Sequence, residues 1–440
     1  MKINHKLNTV IFFLPSIVVA ICSIVSLPFL TNELEISDFG YFYLCSIIVN
    51  FLGSFSLLGG TVSMAKNFHG QSLDKQKKFA SNIFFSSPHL CRIEERVRVN
   101  GVPVSPNQFD GALNTVRGTA KQLSINPTFF ETTFLTAMVI AADLQPRYLI
   151  LETGLGGRLD ATRCAPADLA VLTAITEEHT DILGEDIYQI IREKAAIARP
   201  GKPLIARKMP IKNYENTVVN YTRESANTKL GERQQDVPCT FVEIDSNTDV
   251  LSEAAQIAKQ IFATLDIDQS MIESAKIGMN WPARLQEIKL DSGHRLILDA
   301  AHNPSGIRRV KEQLVELAKR GDDQDKITVI FGTSPQQELE VMLDLVNDLF
   351  SNFESVELYL TKPQGGRYPG IEPNDLNDYN WKNCNVHIFE KVDAALDRIL
   401  SVDAHNAGTI LSIGSLYLQG NILNYLGKNS DNDLSLLPKQ

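Results

Sequence analysis

Paired cysteines at metal-ligand spacing are missing from this chain. Its six cysteines, Cys22, Cys45, Cys91, Cys164, Cys239 and Cys384, are scattered, with no C-x-x-C among them. That spacing offers neither a disulfide framework nor a zinc site, and it fits a reducing compartment for most of the chain. An excess of positive charge is missing as well. The net charge is −10 at pH 7, whereas a nucleic-acid binder shows a basic field. No internal repeat is evident. Charge is also absent from two long runs, Thr9 to Leu30 and Phe39 to Ala65, of 22 and 27 residues. Each exceeds the roughly 20 residues a helix needs to cross a bilayer. A signal peptide has a shorter apolar core and a small-residue cleavage site, and the second run argues further against one. Lys2 and Lys6 precede the first run, Lys66, Lys75, Lys77 and Lys78 follow the second, and Glu33, Glu35 and Asp38 lie between. By the positive-inside tendency both ends of such a hairpin face the cytoplasm. A buried soluble hairpin is the alternative.

What is present is enough for two or three domains: 440 residues, 44% of them hydrophobic. The most informative stretch is Leu149 to Thr162. Arg147 to Leu151 is a short apolar run with the pattern of a buried strand. It ends on Glu152 and breaks into a loop containing Gly154, Gly156 and Gly157. A carboxylate at the C-terminal edge of a parallel strand beside a flexible loop is a place to hold a metal and a phosphorylated ligand. An ordinary turn is the plain reading of the same residues.

Upstream, Ser86-Ser87-Pro88-His89-Leu90 is followed by Glu95-Arg96-Val97. Ser87 offers a hydroxyl suited to a hard cation, or simply a Ser-Pro turn. Pro106 to Leu123 reads as a helix, and a second runs from Thr128 to about Leu144. Asp168 to Ile175 reads as a buried strand leading to His179, which could equally be a hydrogen-bonded structural residue. Tyr188 to Arg199 is helical and carries Lys194, on a solvated face or in a site. Lys202 to Ala206 is a strand, Asn213 to Thr248 has weak periodicity, and Val250 to Thr264 is a helix. Beyond Trp281 strands and helices alternate: Arg295 to Leu298, Ile327 to Gly332, Glu338 to Phe350, Val356 to Thr361, Val386 to Phe389, Val392 to Leu400 and Thr409 to Ile413. Such alternation predicts a parallel α/β layer structure with helices on both faces.

Six motifs then occur in order: the S-P-H-L loop, Glu152-Thr153-Gly154-Leu155-Gly156-Gly157-Arg158-Leu159-Asp160-Ala161-Thr162, Glu193-Lys194-Ala195-Ala196-Ile197, Trp281-Pro282-Ala283-Arg284, Asp299-Ala300-Ala301-His302-Asn303-Pro304 and Gly414-Ser415-Leu416-Tyr417. Together they resemble the folylpolyglutamate synthase and dihydrofolate synthase family of the Mur ligase superfamily, over roughly Ile83 to Leu426. The resemblance implies an α/β fold of two parallel-sheet domains. These are a central ATP-binding domain over 83–280 and a Rossmann-like, amino-acid-binding domain over 281–428. Read from its own residues, the tail over 429–440 is expected to be unstructured. Residues 1–80 resemble instead the first two helices of polysaccharide flippases, through Pro15, Pro28 and Asp38-Phe39-Gly40-Tyr41.

The activity implied is ATP-dependent amide formation, in which a folate or pteroate carboxylate passes through an acyl phosphate to L-glutamate, with ATP and Mg²⁺. In that resemblance Ser87, Glu152 and His179 are metal ligands, and Lys194 (carbamylated in the family) and His302 are catalytic. Arg284 and Asp299 contact the nucleotide. Thr128, Phe129, Phe130 and Glu131, with Leu159, Asp160 and Ala161, bind the folate or pteroate, and Ser415 lies near the amino acid. Read from the residues alone, Phe129 and Phe130 fit a core equally well, and Arg284 a hinge salt bridge. The implied partners are these small molecules and the membrane, through the hairpin, with no nucleic acid and a monomeric state apart from the anchor. The implied location is the cytoplasmic membrane, with the ligase-like part in the cytoplasm.

Several family features are absent. The phosphate loop G-T-N-G-K-G-S does not occur; the two Gly-Lys dipeptides, Gly201-Lys202 and Gly427-Lys428, are not followed by Ser or Thr. The central domain is therefore expected to lack the strand that carries this loop. Glu178 replaces an Asp, Gln336-Gln337-Glu338 replaces D-K-D, Ser252 replaces an Asn, and Arg163 replaces an Asn after D-A-T. Three functions follow as expectations: a membrane-anchored ligase impaired by the missing loop, a non-catalytic relic of the same family, and a membrane transport component.

Overall fold

The computed structural model describes residues 82–436, apart from 178–179, 228–235, 246–247, 268, 270–271, 273–280, 321–324, 367 and 402–407. The expected transmembrane hairpin, the domain boundary near Asn280 and His179 all lie outside the described residues. Among those described, no helix is long and apolar enough to cross a membrane. The chain divides into two compact units. One runs through Phe85 and adds Ser105–Gly154 and Leu159–Pro166; the other comprises Ser86–Val104, Leu155–Arg158 and the chain from Ala167.

In the first unit, strand β1 (Asn82–Phe85) leads, by way of residues of the second unit, to helix α1 (Pro106–Gln122). Ser105 caps α1 by accepting the Gln108 amide at 3.3 Å, and Pro106 presets its first turn. Helix α2 (Phe129–Leu144) opens on a capping box: Thr128 Oγ1 accepts the Glu131 amide, and Glu131 Oε2 accepts the Thr128 amide at 2.7 Å. Ile83, Phe85, Phe109, Phe134 and Ile140 form the unit's interior.

The second unit supplies an antiparallel pair, β2 (Val97–Val99) and β3 (Val102–Pro103). The last strand of the first unit, β4 (Tyr148–Leu151), pairs in parallel with β1, Phe85 opposite Leu151. The strand forms where its apolar run predicts, but the expected burial fails: Tyr148, Leu149 and Ile150 are 36%, 39% and 54% exposed. β4 lies at the edge of its sheet. A parallel strand is buried by neighbours on both sides and helices on both faces, and among the described residues its one strand partner is β1.

The second unit continues with a three-stranded parallel sheet, β5 (Ala170–Leu172), β6 (Leu204–Arg207) and β7 (Cys239–Val242). Helices α3 (Thr180–Leu183), α4 (Ile187–Ala195), α5 (Lys212–Asn227) and α6 (Val250–Thr264) accompany it. α5 and β7 fall in the stretch of weak periodicity.

The six-stranded sheet has the order β12-β11-β10-β13-β9-β8. Its strands are β8 (Gln286–Lys289), β9 (Arg295–Leu298), β10 (Lys326–Phe331), β11 (Ser355–Thr361), β12 (Cys384–Phe389) and β13 (Thr409–Ile413). Every neighbouring pair is parallel except β8–β9, so β8 is an antiparallel edge. Connecting helices are α7 (Pro304–Ala318), α8 (Leu339–Phe350), α9 (Pro373–Asn377), α10 (Val392–Leu400) and α11 (Leu416–Tyr425). Cores lie on both faces: Val329, Leu358 and Leu411 belong to one, Ile330, Tyr359 and Ile410 to the other. This is why β10, β11 and β13 read as nearly continuous apolar runs.

Residues 429–436, within the stretch expected to be unstructured, are ordered. Ser430 and Asp433 cap each other, their amides meeting the opposite side chains at 3.2 and 3.3 Å. The Leu434 side chain is fully buried in the core that holds Ile410 and Ile422. One apolar residue in a self-capped turn is too short a signal for sequence periodicity.

Candidate active site

Parallel α/β sheets gather ligands at the carboxyl ends of their strands, and in the six-stranded sheet the turns after β9 and β13 lie there. The turn after β9 is Asp299-Ala300-Ala301-His302-Asn303. Asn303 caps α7, accepting the Gly306 amide at 2.7 Å, with Pro304 in the first turn. The turn after neighbouring β13 is Gly414-Ser415, and the Gly414 amide donates to the Ala301 carbonyl at 3.0 Å. Gly414 has φ +114°, and a Cβ there would approach the Phe331 ring within 2.7 Å. Glycine is therefore required. Ser415 is buried and caps α11 by accepting the Tyr417 amide at 3.2 Å. The expected pair His302 and Ser415 thus sits on adjacent turns joined by a hydrogen bond.

His302 is exposed. Its Nδ1 lies 2.9 Å from the Ala300 carbonyl. A carbonyl only accepts, so Nδ1 carries the proton and Nε2 is left for a ligand. Gln336 donates to the His302 carbonyl at 2.9 Å, a contact the sequence did not reveal. Gln337 lies 3.2 Å from Thr180 Oγ1, so the Gln-Gln pair spans from the His302 turn to the start of α3.

Asp299 is only 1% exposed, and its two carboxylate oxygens accept the Ala301 amide at 2.8 Å and the Leu285 amide at 2.9 Å. Burial pushes its carboxyl up, against the downward pull of those amides and of Arg284 and His302. Its geometry is that of an anchor for the Trp281–Leu285 turn, with little surface left for a nucleotide. Arg284 on that turn is exposed, flanked by Ala283 and Leu285 at φ +57° and +47°. Such values are outliers for non-glycine residues. The Ala283 amide to Gln286, its carbonyl to the Ala300 amide and the Leu285 amide to Asp299 hold the turn in place. A mixed-charge cleft of about 710 Å³, lined in part by Asp249, Leu285, Arg308 and Gln313, opens beside it.

The S-P-H-L loop belongs to the same unit and is built around Glu95. That carboxylate is buried and accepts the amides of Cys91 at 2.6 Å, Arg92 at 2.7 Å and Leu90 at 3.3 Å. Arg98 pairs with Glu95 and reaches Ser86 Oγ at 3.2 Å. Ser87 is half-buried within this frame, before a cis Pro88. Lys194 lies half-buried in the last turn of α4. Gly157 packs against that turn: a Cβ on it would meet the Lys194 carbonyl at 2.8 Å. The Arg158 side chain pairs with Glu193 at 2.8 Å.

In the other unit, Glu152 is exposed at the end of β4, its amide bonded to the Phe85 carbonyl at 2.9 Å. Ser87 and Lys194 belong to a different compact unit from Glu152. Among the described residues no group of three His, Cys, Asp or Glu side chains is placed to hold a metal. Phe129 is 58% exposed, whereas Phe130 packs edge-on against Phe85 with centroids 5.6 Å apart. The Phe130 ring covers Gly154, where a Cβ would come within 2.6 Å. Asp160 is buried; it accepts the Gly154 amide at 2.7 Å and the Thr162 amide and hydroxyl at 2.9 and 2.6 Å. Leu159 is exposed beside it and Ala161 half-buried. Glu131 and Thr128 are engaged in the cap of α2.

No family model matches the chain. Among curated proteins it is 27% identical over 355 residues to the dihydrofolate synthase/folylpolyglutamate synthase of Escherichia coli, covering 77% of this chain and 78% of that protein. It is 24% identical over 375 residues to the Bacillus subtilis protein of the same description, covering 77% of this chain and 82% of the other. Among solved structures, E. coli FolC in complex with DHPP and ADP matches with a TM-score of 0.63 at 24% identity, over 80% of this chain and 83% of that one. Over most of its length the chain is thus similar to synthases of the folylpolyglutamate synthase/dihydrofolate synthase family. A bifunctional synthase of this family with Mn, AMPPNP and L-glutamate bound shares the fold, at a TM-score of 0.64 and 23% identity over 80% of this chain and 84% of that one.

Ala283 adopts a left-handed backbone, at a cost of roughly 1–2 kcal/mol. One departure from the family motifs now has a place. Ser252, in place of the family's Asn, is turned into the α6 cap, its amide held by Asp249 at 3.0 Å.

Proposed function

We propose that this chain is an ATP-dependent ligase of the folylpolyglutamate/dihydrofolate synthase type that retains the amino-acid side of its site and turns over slowly or not at all by itself. The observation that supports it is the pair of linked turns at the carboxyl ends of β9 and β13. They bring together His302, Ser415 and the buried Asp299 that fixes the Arg284 turn.

L-Glutamate is the amino acid that fits this reading, and a folate or pteroate carboxylate the acceptor, activated as an acyl phosphate. His302 Nε2 would take the hydrogen of the attacking amine, with Gln336 holding the His302 backbone so that the ring keeps its place. Arg284 would meet the nucleotide phosphates as a planar, two-pronged donor. Ser87 would offer one hydroxyl to a divalent cation, a single ligand for Mg²⁺, which prefers six oxygens. Such a cation, when bound, neutralises the charge of the transferring phosphoryl group. Phe130, over Gly154, would offer an aromatic face to a flat heterocycle.

Impairment follows from the missing G-T-N-G-K-G-S loop. Phosphoryl transfer rests on positioning and charge stabilisation, and removing one oxyanion-type donor costs roughly 2.7–4 kcal/mol. A non-catalytic relic is the second reading, supported by the same absence. Residues 1–80 would anchor the protein as a two-helix hairpin with both ends in the cytoplasm; cysteine labelling of Gln71–Lys78 from outside intact cells would exclude that topology.

A glutamate-incorporation assay with ATP and a folate or pteroate, run beside an intact synthase, tests the ligase reading. Turnover lower than the control by more than about a hundredfold is expected. Turnover within that range would overturn the impairment. Absence of L-glutamate binding by calorimetry would overturn the retained amino-acid site.

A further inference from the structure

The loop that carries Ser87 and His89 is attached at two points to residues at the far end of the sequence. The first is α11. Gly420 lies so close to the Leu90 carbonyl that a Cβ there would collide with it, and the Cys91 thiol lies 3.7 Å from the Gly420 carbonyl. Leu90 is buried in the core of Leu418, Ile422 and Leu423. The second is the ordered C-terminal turn. Leu434 is fully buried in that same core, Asp431 pairs with Arg92, and the Leu436 amide donates to the Gly101 carbonyl at 2.9 Å.

Between these attachments the loop has its own frame. Glu95 gathers the amides of Leu90, Cys91 and Arg92, and Arg98 joins Glu95 to Ser86. A buried carboxylate holding three amides and one guanidinium has few alternative arrangements. The loop therefore moves as a block, and what fixes the block is α11 together with the C-terminal turn.

We propose that Ser430–Leu436 is a positioning element for the Ser86–Gly101 loop, with Leu434 and Asp431 as its two contacts. Through that loop it sets the affinity of the nucleotide and divalent cation at Ser87. The second clause rests on the functional reading above; the first stands on the packing alone. Leu434 and Asp431 touch no reacting group and act through the loop.

The test uses the full chain and two variants, Leu434→Ala in the core and Asp431→Asn at the surface, the second guarding against a failure of the first to fold. Amide hydrogen exchange is followed in peptides covering 86–101 and in peptides covering β10 and β13. Exchange in 86–101 should rise by about tenfold or more in Leu434→Ala and by less in Asp431→Asn, with β10 and β13 unchanged. Leu434→Ile and Asp431→Glu should restore the slow exchange. No change in the loop, or an equal rise in the loop and the sheet, overturns the proposal, because a purely structural role loosens both. Titration with ADP and Mn²⁺ supplies the separate arm. Affinity should fall by about tenfold in Leu434→Ala, and unchanged affinity in a loosened loop overturns the link to Ser87. A wild-type chain that binds no ADP and Mn²⁺ counts against the functional reading, while the exchange result still decides the anchoring.

Discussion

Arg96 donates its Nε–H to Nδ1 of His89 at 3.1 Å, which requires that nitrogen to be a lone pair and the ring neutral. Burial, and then the Arg96 charge, lower His89 from 6.5 to about 4. The unfolded chain takes up this proton near its ordinary value, and the folded chain only on reaching the lowered one. The stabilisation is therefore complete above pH 6.5 and lost as pH falls through about 4. Urea titrations across that range should show stability rising with pH in the wild type and a shallower rise in His89→Asn. Equal slopes in the two proteins would remove His89 as the titrating group.

The Glu95–Arg98 pair is nearly excluded from water, with side chains 3% and 8% exposed. Removing one member of a buried pair typically costs about 3–5 kcal/mol, because the other charge is stranded. Here three loop amides also lose their acceptor. Glu95→Ala should fall at the upper end of that range and Glu95→Gln well below it, measured by urea midpoint. A loss under about 1 kcal/mol for the alanine variant would mean that water replaces the carboxylate and that the loop frame is weaker than its geometry implies.

Phe130 and Gly154 offer a cleaner case, since each constrains the other. A methyl group at Gly154 would meet the ring at 2.6 Å, and overpacking of this kind costs about 1–3 kcal/mol. Gly154→Ala should be destabilising in the wild type. In a Phe130→Ala background the added cost should shrink to within about 0.5 kcal/mol. Additive effects in the double-mutant cycle would show that the loop, and not the ring, resists the substitution.

Ile150 separates what sequence pattern shows from what it cannot. Its run, Tyr148-Leu149-Ile150-Leu151, has the composition of an interior strand, and a strand forms. Burial depends on neighbours, which the run itself does not encode. Ile150→Thr should therefore change stability by no more than about 0.5 kcal/mol, whereas Leu358→Ala on β11 should cost about 2–5 kcal/mol. A large loss at Ile150 would mean that the strand is covered in solution.

The same distinction runs through the site. His302, Asn303-Pro304 and Gly414-Ser415 were legible as matches to family motifs, each a short run of adjacent residues. Gln336 was not, because its contact to the His302 carbonyl joins residues far apart in the chain. Glu131 and Asp160, expected from the resemblance to contact the folate or pteroate, have oxygens engaged in a helix cap and a loop closure. Leu434 was missed because one apolar residue in a polar tail carries no periodicity.

The last prediction concerns Asp299, whose two oxygens hold the Leu285 and Ala301 amides from opposite sides. Asparagine keeps the shape but offers one acceptor. Its amide nitrogen must face one of the two backbone N–H groups, donor against donor. Leaving a buried donor unsatisfied costs about 1–3 kcal/mol, and Asp299→Asn should lose that much in a urea titration. Since the Leu285 amide belongs to the turn that carries Arg284, the variant should also weaken ADP binding in proportion, by about tenfold for each 1.4 kcal/mol lost at the turn. The carboxyl is pushed up by burial, so ionising it costs the folded state free energy. That contribution is favourable at low pH, below the ordinary carboxylate value, and is lost as pH rises through the raised one. Asp299→Asn should therefore be less destabilising at pH 7 than at pH 4 relative to wild type. A penalty that grows towards pH 7 would show instead that the ionised carboxylate is the form the fold prefers.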